Sequence, residues 1–406
     1  MMTEDNHGPN GGVLKETTSL CPQCYREIAA HTRLDEQGGV VMEKHCPDHG
    51  PFRAQIEADA EVYQAFLNRG ATPVEPNILL IPVTHRCNLR CRMCYLPDSD
   101  REEISWKALT RIIDAWPGAV GFTGGEPTLR ADLPELITYA AQHDKHPWLI
   151  TNGLRLAEPG LAARLVDAGL TAVLFSLNGL SDAVFAQIEG QPLLARKMAG
   201  LEALLATRVR PVLSTTVVTG VNEGEVPRLL DLCLKNAGGF GGWRIRAQAA
   251  IGRHTEAPGL FLSGMLHLVC SALGIDRAEL LARIDTERQP YQRNAHAYLS
   301  ALSTVGPRRR TVGFRTVTST PGVSGGHGLL RGLPPSEAAL AAIYRLFRPD
   351  ALKWLEFDIF AWHDAHNVDL QDVRQSSVYH VGPGGRPLAA IEALLLNDGQ
   401  PDWDWG

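Results

Sequence analysis

From Asn77 onward the chain alternates between two hydrophobic periods. Short apolar runs that break into polar loops, beginning with Ile78-Leu79-Leu80-Ile81-Pro82-Val83, read as buried strands. Between them, apolar residues recur at helical spacing. Leu109, Ile112, Ile113 and Trp116 form one stripe, with Ser105 as its N-cap and Pro117-Gly118 as its stop. Leu133, Leu136, Ile137, Ala140 and Ala141 form the next, with Asp132 as its cap. Further strands are predicted over 119–123, 148–151, 171–177, 209–218 and 243–250. Further helices are predicted over 161–168, closed by Gly169, in two pieces broken near Gly190 and Pro192, and over 226–234. Six strands alternating with helices predict an α/β fold with a parallel sheet and right-handed crossovers.

The flanks read differently. Residues 1–12 are polar and Gly-rich and are expected to form a disordered tail. Residues 13–70 hold two matched knuckles, Cys21-Pro22-Gln23-Cys24 and Cys46-Pro47-Asp48-His49-Gly50, separated by a turn and strand over 38–42. Cys21, Cys24, Cys46 and His49 suit a tetrahedral zinc ribbon, with iron in a rubredoxin-like site as the alternative. All four positions are protein ligands, so the site is closed and structural. So short a segment cannot build a sufficient core, and a metal supplies the missing folding energy. A helix over 59–68, with Val62, Phe66 and Leu67 on one side, and a Pro-containing linker lead into the main domain, 77–275. The remainder, 276–406, reads as a mixed and partly irregular extension. Within it, 305–334 is expected to be a long loop, placed over the barrel mouth, and 338–347 a helix. His363 and His366 share a helical face, but no third ligand accompanies them, so they read as surface or pocket-lining residues.

Composition narrows the function classes. Of 406 residues, 44% are apolar and 21% charged, with a net charge of −6, which gives no bulk attraction for nucleic acid. The one basic run, Arg308-Arg309-Arg310, sits in a Gly-, Pro- and Thr-rich stretch and reads as a solvated loop. No apolar stretch reaches the ~20 residues of a membrane span, and the first residues lack a signal-peptide core. The eight cysteines fall into clusters at 21/24/46 and 87/91/94, plus Cys233 and Cys270. That is metal spacing, not a disulfide framework, and it points to a reducing cytosol. Cys233 and Cys270 lie on apolar helical stripes and read as core residues, so no second iron–sulfur cluster is expected.

The chemistry centres on Cys87-Asn88-Leu89-Arg90-Cys91-Arg92-Met93-Cys94, on the loop that leaves the first strand of the main domain. Open α/β sheets and barrels bind ligands at such strand ends. An iron–sulfur cubane normally takes four thiolates, and this loop offers three. One iron is then left for a small molecule. A zinc knuckle short of one ligand is the alternative, and it leaves Gly124-Gly125-Glu126-Pro127 unexplained.

The two motifs together resemble those of the radical S-adenosylmethionine (SAM) superfamily. The resemblance covers roughly residues 77–252. It implies a partial (β/α)6 barrel, one [4Fe–4S] cluster on Cys87, Cys91 and Cys94, and SAM chelated to the open iron by its amino nitrogen and carboxylate. It also implies reductive cleavage of SAM to a 5′-deoxyadenosyl radical that abstracts hydrogen from a substrate, with a donor such as flavodoxin or ferredoxin. For SAM it implies contacts from the backbone of Met93, from Gly124, Gly125, Glu126 and Pro127, and from Asn152 after the third strand. Ser176-Leu177-Asn178-Gly179 resembles the family's Ser-x-Asp-Gly, with Asn178 in place of Asp, and faces the ribose and carboxylate region. Arg246 is the candidate carboxylate partner, in competition with Arg244 and Arg253.

The N-terminal knuckles are similar to those of a branch that includes archaeal tetraether lipid synthases and the pterin-methylating radical SAM enzymes of methanogens. Residues 359–383 weakly resemble its C-terminal segment, but Ser376-Ser377 stands where the branch carries further cysteines. The reading is therefore a single-cluster enzyme acting on a small-molecule or peptide substrate. Methyl transfer and a non-catalytic zinc-ribbon scaffold are the alternatives.

Overall fold

A computed structural model describes residues 12–67, 77–96, 103–236, 239–253, 259–273, 276–278, 281, 296–304, 314–317, 352–360, 363–374, 378–382 and 386–398. The predicted helix over 338–347 lies outside them.

The N-terminal segment is an antiparallel four-stranded sheet, β1 (Val13–Leu20), β2 (Glu27–Leu34), β3 (Val40–Cys46) and β4 (Gly50–Glu57), followed by helix α1 (Ala60–Leu67). The sequence signalled only the strand around 40–42. Strand β1 escaped because its buried face is largely polar. On β1 the inward residues are Lys15, Thr17, Ser19 and Leu20. Lys15 Nζ donates to Asp369 at 2.5 Å and to Asp372 at 2.6 Å, and Thr17 Oγ1 donates to Asp369 at 2.6 Å. On β3, Lys44 Nζ donates to Ser19 Oγ at 2.8 Å and to the Ala365 carbonyl at 2.6 Å. The ribbon thus docks on the C-terminal segment through satisfied charges, which a hydrophobic-period reading passes over.

The six strands expected in the main domain are present as β5 (Ile78–Thr84), β6 (Ala119–Gly124), β7 (Pro147–Thr151), β8 (Ala172–Ser176), β9 (Val212–Val217) and β10 (Gly242–Ala247). They pair in parallel and in chain order. Burial on both faces explains their nearly continuous apolar runs. Helices α2 (Trp106–Ala115), α3 (Leu133–Gln142), α4 (Leu161–Asp167), α5 (Asp182–Glu189), α6 (Leu194–Leu205), α7 (Val226–Lys235) and α8 (Leu262–Leu273) accompany them. Ser105 caps α2 through its hydroxyl, as expected from sequence. Asp132 occupies the N-cap of α3 as expected, but its carboxylate makes no cap bond and is held instead by the Arg130 guanidinium at 2.6 and 2.9 Å. Cys233 and Cys270 are both buried in the main core.

The sheet is longer than the sequence indicated. The C-terminal extension adds a parallel strand at each side, β13 (Leu352–Phe360) beside β10 and β14 (Val378–Val381) beside β5. This gives eight parallel strands in a mixed α/β, half-barrel sheet. Antiparallel strands β11 (His296–Thr304), β12 (Phe314–Val317) and β15 (Pro387–Ala389) finish its edges. Strand β12 falls inside the segment expected to be loop. His363 and His366 do not share a helix: 365–367 is a turn, and α9 (Leu370–Val373) begins after it. These pieces were missed because parallel partners far apart in sequence leave no local signal.

His380 on β14 is buried, and burial pulls its pKa down to about 4. The native state therefore keeps a neutral imidazole that the unfolded chain protonates near 6.5. The stability this contributes is full above pH 6.5 and is lost as pH falls toward 4, up to about 3 kcal/mol. Thermal melts of the metal-free protein should show that loss, and the His380→Asn variant should show a flatter profile over the same interval.

Candidate active site

Strand β5 ends in the cysteine loop. Pro82 has no N–H to give to β6, and the register between these strands slips between Pro82 and Thr84. The chain then turns away from the sheet. The loop is held by one internal backbone bond and by backbone contacts to two other segments. Arg92 N donates to the Ile188 carbonyl at 2.9 Å, Cys94 N to the Cys91 carbonyl at 3.2 Å, and Arg253 N to the Cys94 carbonyl at 2.9 Å. Met93 packs on Val184, Ile188 and Val218. Gly252, at φ +68, lies so near Tyr95 that a Cβ would sit 2.5 Å from its carbonyl.

Cys87, Cys91 and Cys94 all line one cavity of about 200 Å3. Desolvation raises the Cys87 and Cys91 thiols above the usual range, followed by the field of Glu126 at Cys87 and of Glu189 at Cys91. Metal must therefore displace protons on entering, and three thiols converging on one space fit a cluster bound through three cysteines.

The Gly-Gly-Glu-Pro loop follows β6. Its glycines are required by the protein's own packing, apart from any ligand. A Cβ on Gly124, at φ +123, would lie 2.3 Å from the Thr84 carbonyl, and one on Gly125 would lie 2.2 Å from the Arg86 carbonyl. The glycines let this loop clasp the cysteine loop, with Gly125 N donating to Thr84 O and Glu126 N to Arg86 O, both at 2.8 Å. Both glycines still line the cavity, whereas Glu126 and Pro127 stand behind it. Glu126 is 1% exposed. Its carboxylate accepts from Thr128, from Thr151 Oγ1 at 2.7 Å and from Asn152 N at 2.7 Å. Asn152 in turn donates from Nδ2 to Asn88 Oδ1 at 2.7 Å, which ties the end of β7 to the cysteine loop.

Ser176, Asn178 and Arg246 face the same cavity. Arg246 donates to Ser214 Oγ at 2.8 Å, and Arg244, one pleat earlier on β10, also lines the cavity. Beneath Asn178 lies a pair the sequence reading missed, Glu189 and Lys197, with N···O at 2.8 Å and side chains 1% and 0% exposed. The signal was present: Lys197 occupies the buried stripe it shares with Leu201 and Leu204, where a charge demands a partner.

The ribbon presents a second centre. Cys21, Cys24, Cys46 and His49 place their ligand atoms within 4.8 Å of one another. The contacts are 3.6 Å for Cys21 Sγ to His49 Nδ1, 3.9 Å for Cys24 Sγ to Cys46 Sγ and 3.4 Å for Cys46 Sγ to His49 Nδ1. The edge of a tetrahedron around zinc with Zn–S near 2.3 Å is about 3.8 Å, so the set fits zinc without rearrangement. Burial pushes the Cys21 and Cys46 thiols up, but the knuckle amides of Cys24 and Gln23 at Cys21, and of Asp48 at Cys46, bring both below the usual range. The Cys46→Ser variant should lose bound zinc by elemental analysis and melt at lower temperature than the parent. Full zinc content in that variant would remove Cys46 from the ligand set.

Comparison with known families places these two centres. Residues 81–233 match the radical SAM superfamily, and residues 13–58 match the HMPTM N-terminal zinc ribbon domain. The 7,8-dihydro-6-hydroxymethylpterin dimethyltransferase of Methanocaldococcus jannaschii is 31% identical over 281 residues, 60% of this chain and 54% of that protein. The GTP 3′,8-cyclase of Acidothermus cellulolyticus is 36% identical over 196 residues, 41% of this chain and 53% of that protein. The chain thus spans about half the length of the curated relatives it matches. Streptococcus suis SuiB bound to precursor peptide SuiA superposes with a TM-score of 0.43 and 14% identity, over 62% of this chain and 68% of that one, a likeness too slight to build on. Three cavity thiols at the end of β5, clasped by a Gly-Gly-Glu-Pro loop, are the centre of the matched segment, and the chain carries a radical SAM domain over residues 81–233 with a zinc ribbon domain of the HMPTM kind ahead of it.

Proposed function

We propose that this chain is an enzyme that holds one [4Fe–4S] cluster on Cys87, Cys91 and Cys94 and reductively cleaves SAM to a 5′-deoxyadenosyl radical, which takes hydrogen from a substrate. The observation that supports this reading most strongly is the convergence of the three thiols and the ends of six parallel strands on one cavity. The bound cluster and SAM supply the electron transfer and radical chemistry. The protein's own tasks are to bind, to orient and to exclude water.

For binding, the reading uses the Met93 backbone beside adenine, Ser176 and Asn178 beside ribose and carboxylate, Arg246 on the carboxylate, and Asn152, Gly124 and Gly125 around the methionyl end. Glu126 orients this set indirectly, through Thr151 and the Asn152 amide. For exclusion, Leu80, Ile150, Leu174 and Leu394 wall the cavity with side chains that give no hydrogen bonds. A small-molecule or peptide substrate in the cytosol and a flavodoxin- or ferredoxin-type reductant complete the proposal. Among the described residues no helix is long and apolar enough to cross a membrane.

The second reading is methyl transfer. It is favoured by the relative named as a pterin dimethyltransferase, whose similarity extends over 60% of this chain. A zinc-ribbon scaffold without catalysis is disfavoured by the retained thiols and the retained Gly-Gly-Glu-Pro clasp.

Anaerobic reconstitution with iron and sulfide, followed by reductant and SAM, should release 5′-deoxyadenosine and methionine at least about tenfold faster than the Cys91→Ala variant, a loss expected when a required group is removed. Equal rates would overturn the reading. S-adenosylhomocysteine and a product heavier by one methyl group would select methyl transfer.

A further inference from the structure

The end of β8 carries Asn178, and every polar atom of its side chain is placed by the surroundings. Its Oδ1 accepts from Thr216 N at 2.9 Å, and its Nδ2 donates to Glu189 Oε1 at 2.9 Å. Because Thr216 N–H is a fixed donor, the amide cannot be turned the other way. Its backbone carbonyl accepts from Asn222 Nδ2 at 2.7 Å.

Glu189 closes α5, and Lys197 projects from the first turns of α6. Lys197 Nζ donates to Glu189 Oε1 and to the Ser176 carbonyl, both at 3.0 Å, and stands 5.3 Å from the centre of the Phe185 ring. Asn178, Glu189 and Lys197 are 2, 3 and 0% exposed, and all three border the cavity that the cysteine loop lines. Among the described residues, Glu189 Oε2 is buried with no hydrogen-bond donor aligned on it, and the cation beside it is Lys197 at 2.8 Å. So deep a carboxylate is costly, and it is tolerated here because one ammonium and one amide are aimed at it. The arrangement also dictates the residue at 178. An aspartate there would still accept from Thr216 N, but its second oxygen would face the Glu189 carboxylate across the 2.9 Å that Nδ2 now spans. With one N–H committed to Glu189, the second N–H of Asn178 is left to serve the cavity.

We propose that Glu189 is a positioning residue for SAM: with Lys197 beneath it, it fixes the Asn178 amide as a hydrogen-bond donor at the end of β8. The carboxylate sits on the helix instead of on the strand, and the strand presents a neutral donor to an oxygen of the bound nucleoside or amino acid. This rests on the reading that SAM occupies this cavity.

The test is a double-mutant cycle on SAM affinity, by equilibrium dialysis of the anaerobically reconstituted full chain at matched cluster content. Asn178→Asp should weaken SAM by about tenfold and Glu189→Gln by about threefold. The double variant Asn178→Asp with Glu189→Gln, in which residue 178 has no N–H left for position 189 to orient, should bind SAM no more weakly than Asn178→Asp alone. Additive losses, or an Asn178→Asp variant that binds SAM as the parent does, would overturn the proposal. A purely structural role predicts that the melting temperature and the affinity fall together. Glu189→Leu with Lys197→Met replaces the buried ion pair by apolar side chains of similar size and keeps the fold testable. It should retain the parent's melting temperature and cluster content while losing SAM affinity. Retained affinity in that variant would also overturn the proposal. Failure of the parent itself to bind SAM would instead reject the reading on which the proposal rests.

Discussion

Two backbone hydrogen bonds, from Gly125 N to Thr84 O and from Glu126 N to Arg86 O, join the loop after β6 to the loop that carries the cysteines. Everything at the cavity depends on how closely those loops approach. The approach is possible only because neither Gly124 nor Gly125 has a Cβ, and Gly124 further adopts a φ of +123 that other residues rarely take. The glycines therefore act one step before any ligand. They set where the three thiols stand, and Glu126 behind them passes that register to β7 through Thr151 and Asn152.

The zinc ribbon is joined to the same loop through a small apolar cluster. Leu20 precedes the ribbon ligand Cys21, and Tyr95 follows Cys94. Both meet in a cluster with Ile251, Val368, Leu370 and Leu395. Around it run the polar contacts of Lys15, Thr17 and Lys44 to residues 365–372. Ribbon, C-terminal segment and cysteine loop are thus one packed unit at the side of the half-barrel, which accounts for a polar face on β1 that would be out of place on a free-standing ribbon.

Much of this was legible in sequence, for identifiable reasons. The six central strands are buried on both faces, and burial writes itself as apolar runs such as Ile78–Val83. The two metal sites are written as cysteine spacings, and spacing survives without knowledge of the fold. What could not be read has the opposite character. Strands β13 and β14 join the sheet beside partners more than 100 residues earlier in the chain. The inward face of β1 is polar because its partners are Asp369 and Asp372, and neither partner is visible from the other. Gly124 and Gly125 could be singled out from their motif, but the neighbour that excludes a Cβ from them, the cysteine loop, is not visible in sequence. Glu189 and Lys197 were absent from the candidate residues because one ends a helix and the other hides in an apolar stripe.

The central claim is that Cys87, Cys91 and Cys94 leave one iron open and that SAM reaches it. Electron paramagnetic resonance of the anaerobically reconstituted, reduced protein tests this most directly. The account predicts a [4Fe–4S] signal whose shape changes when SAM is added and which is lost in the Cys91→Ala variant. A signal that SAM leaves unchanged, or one that persists without Cys91, would contradict it.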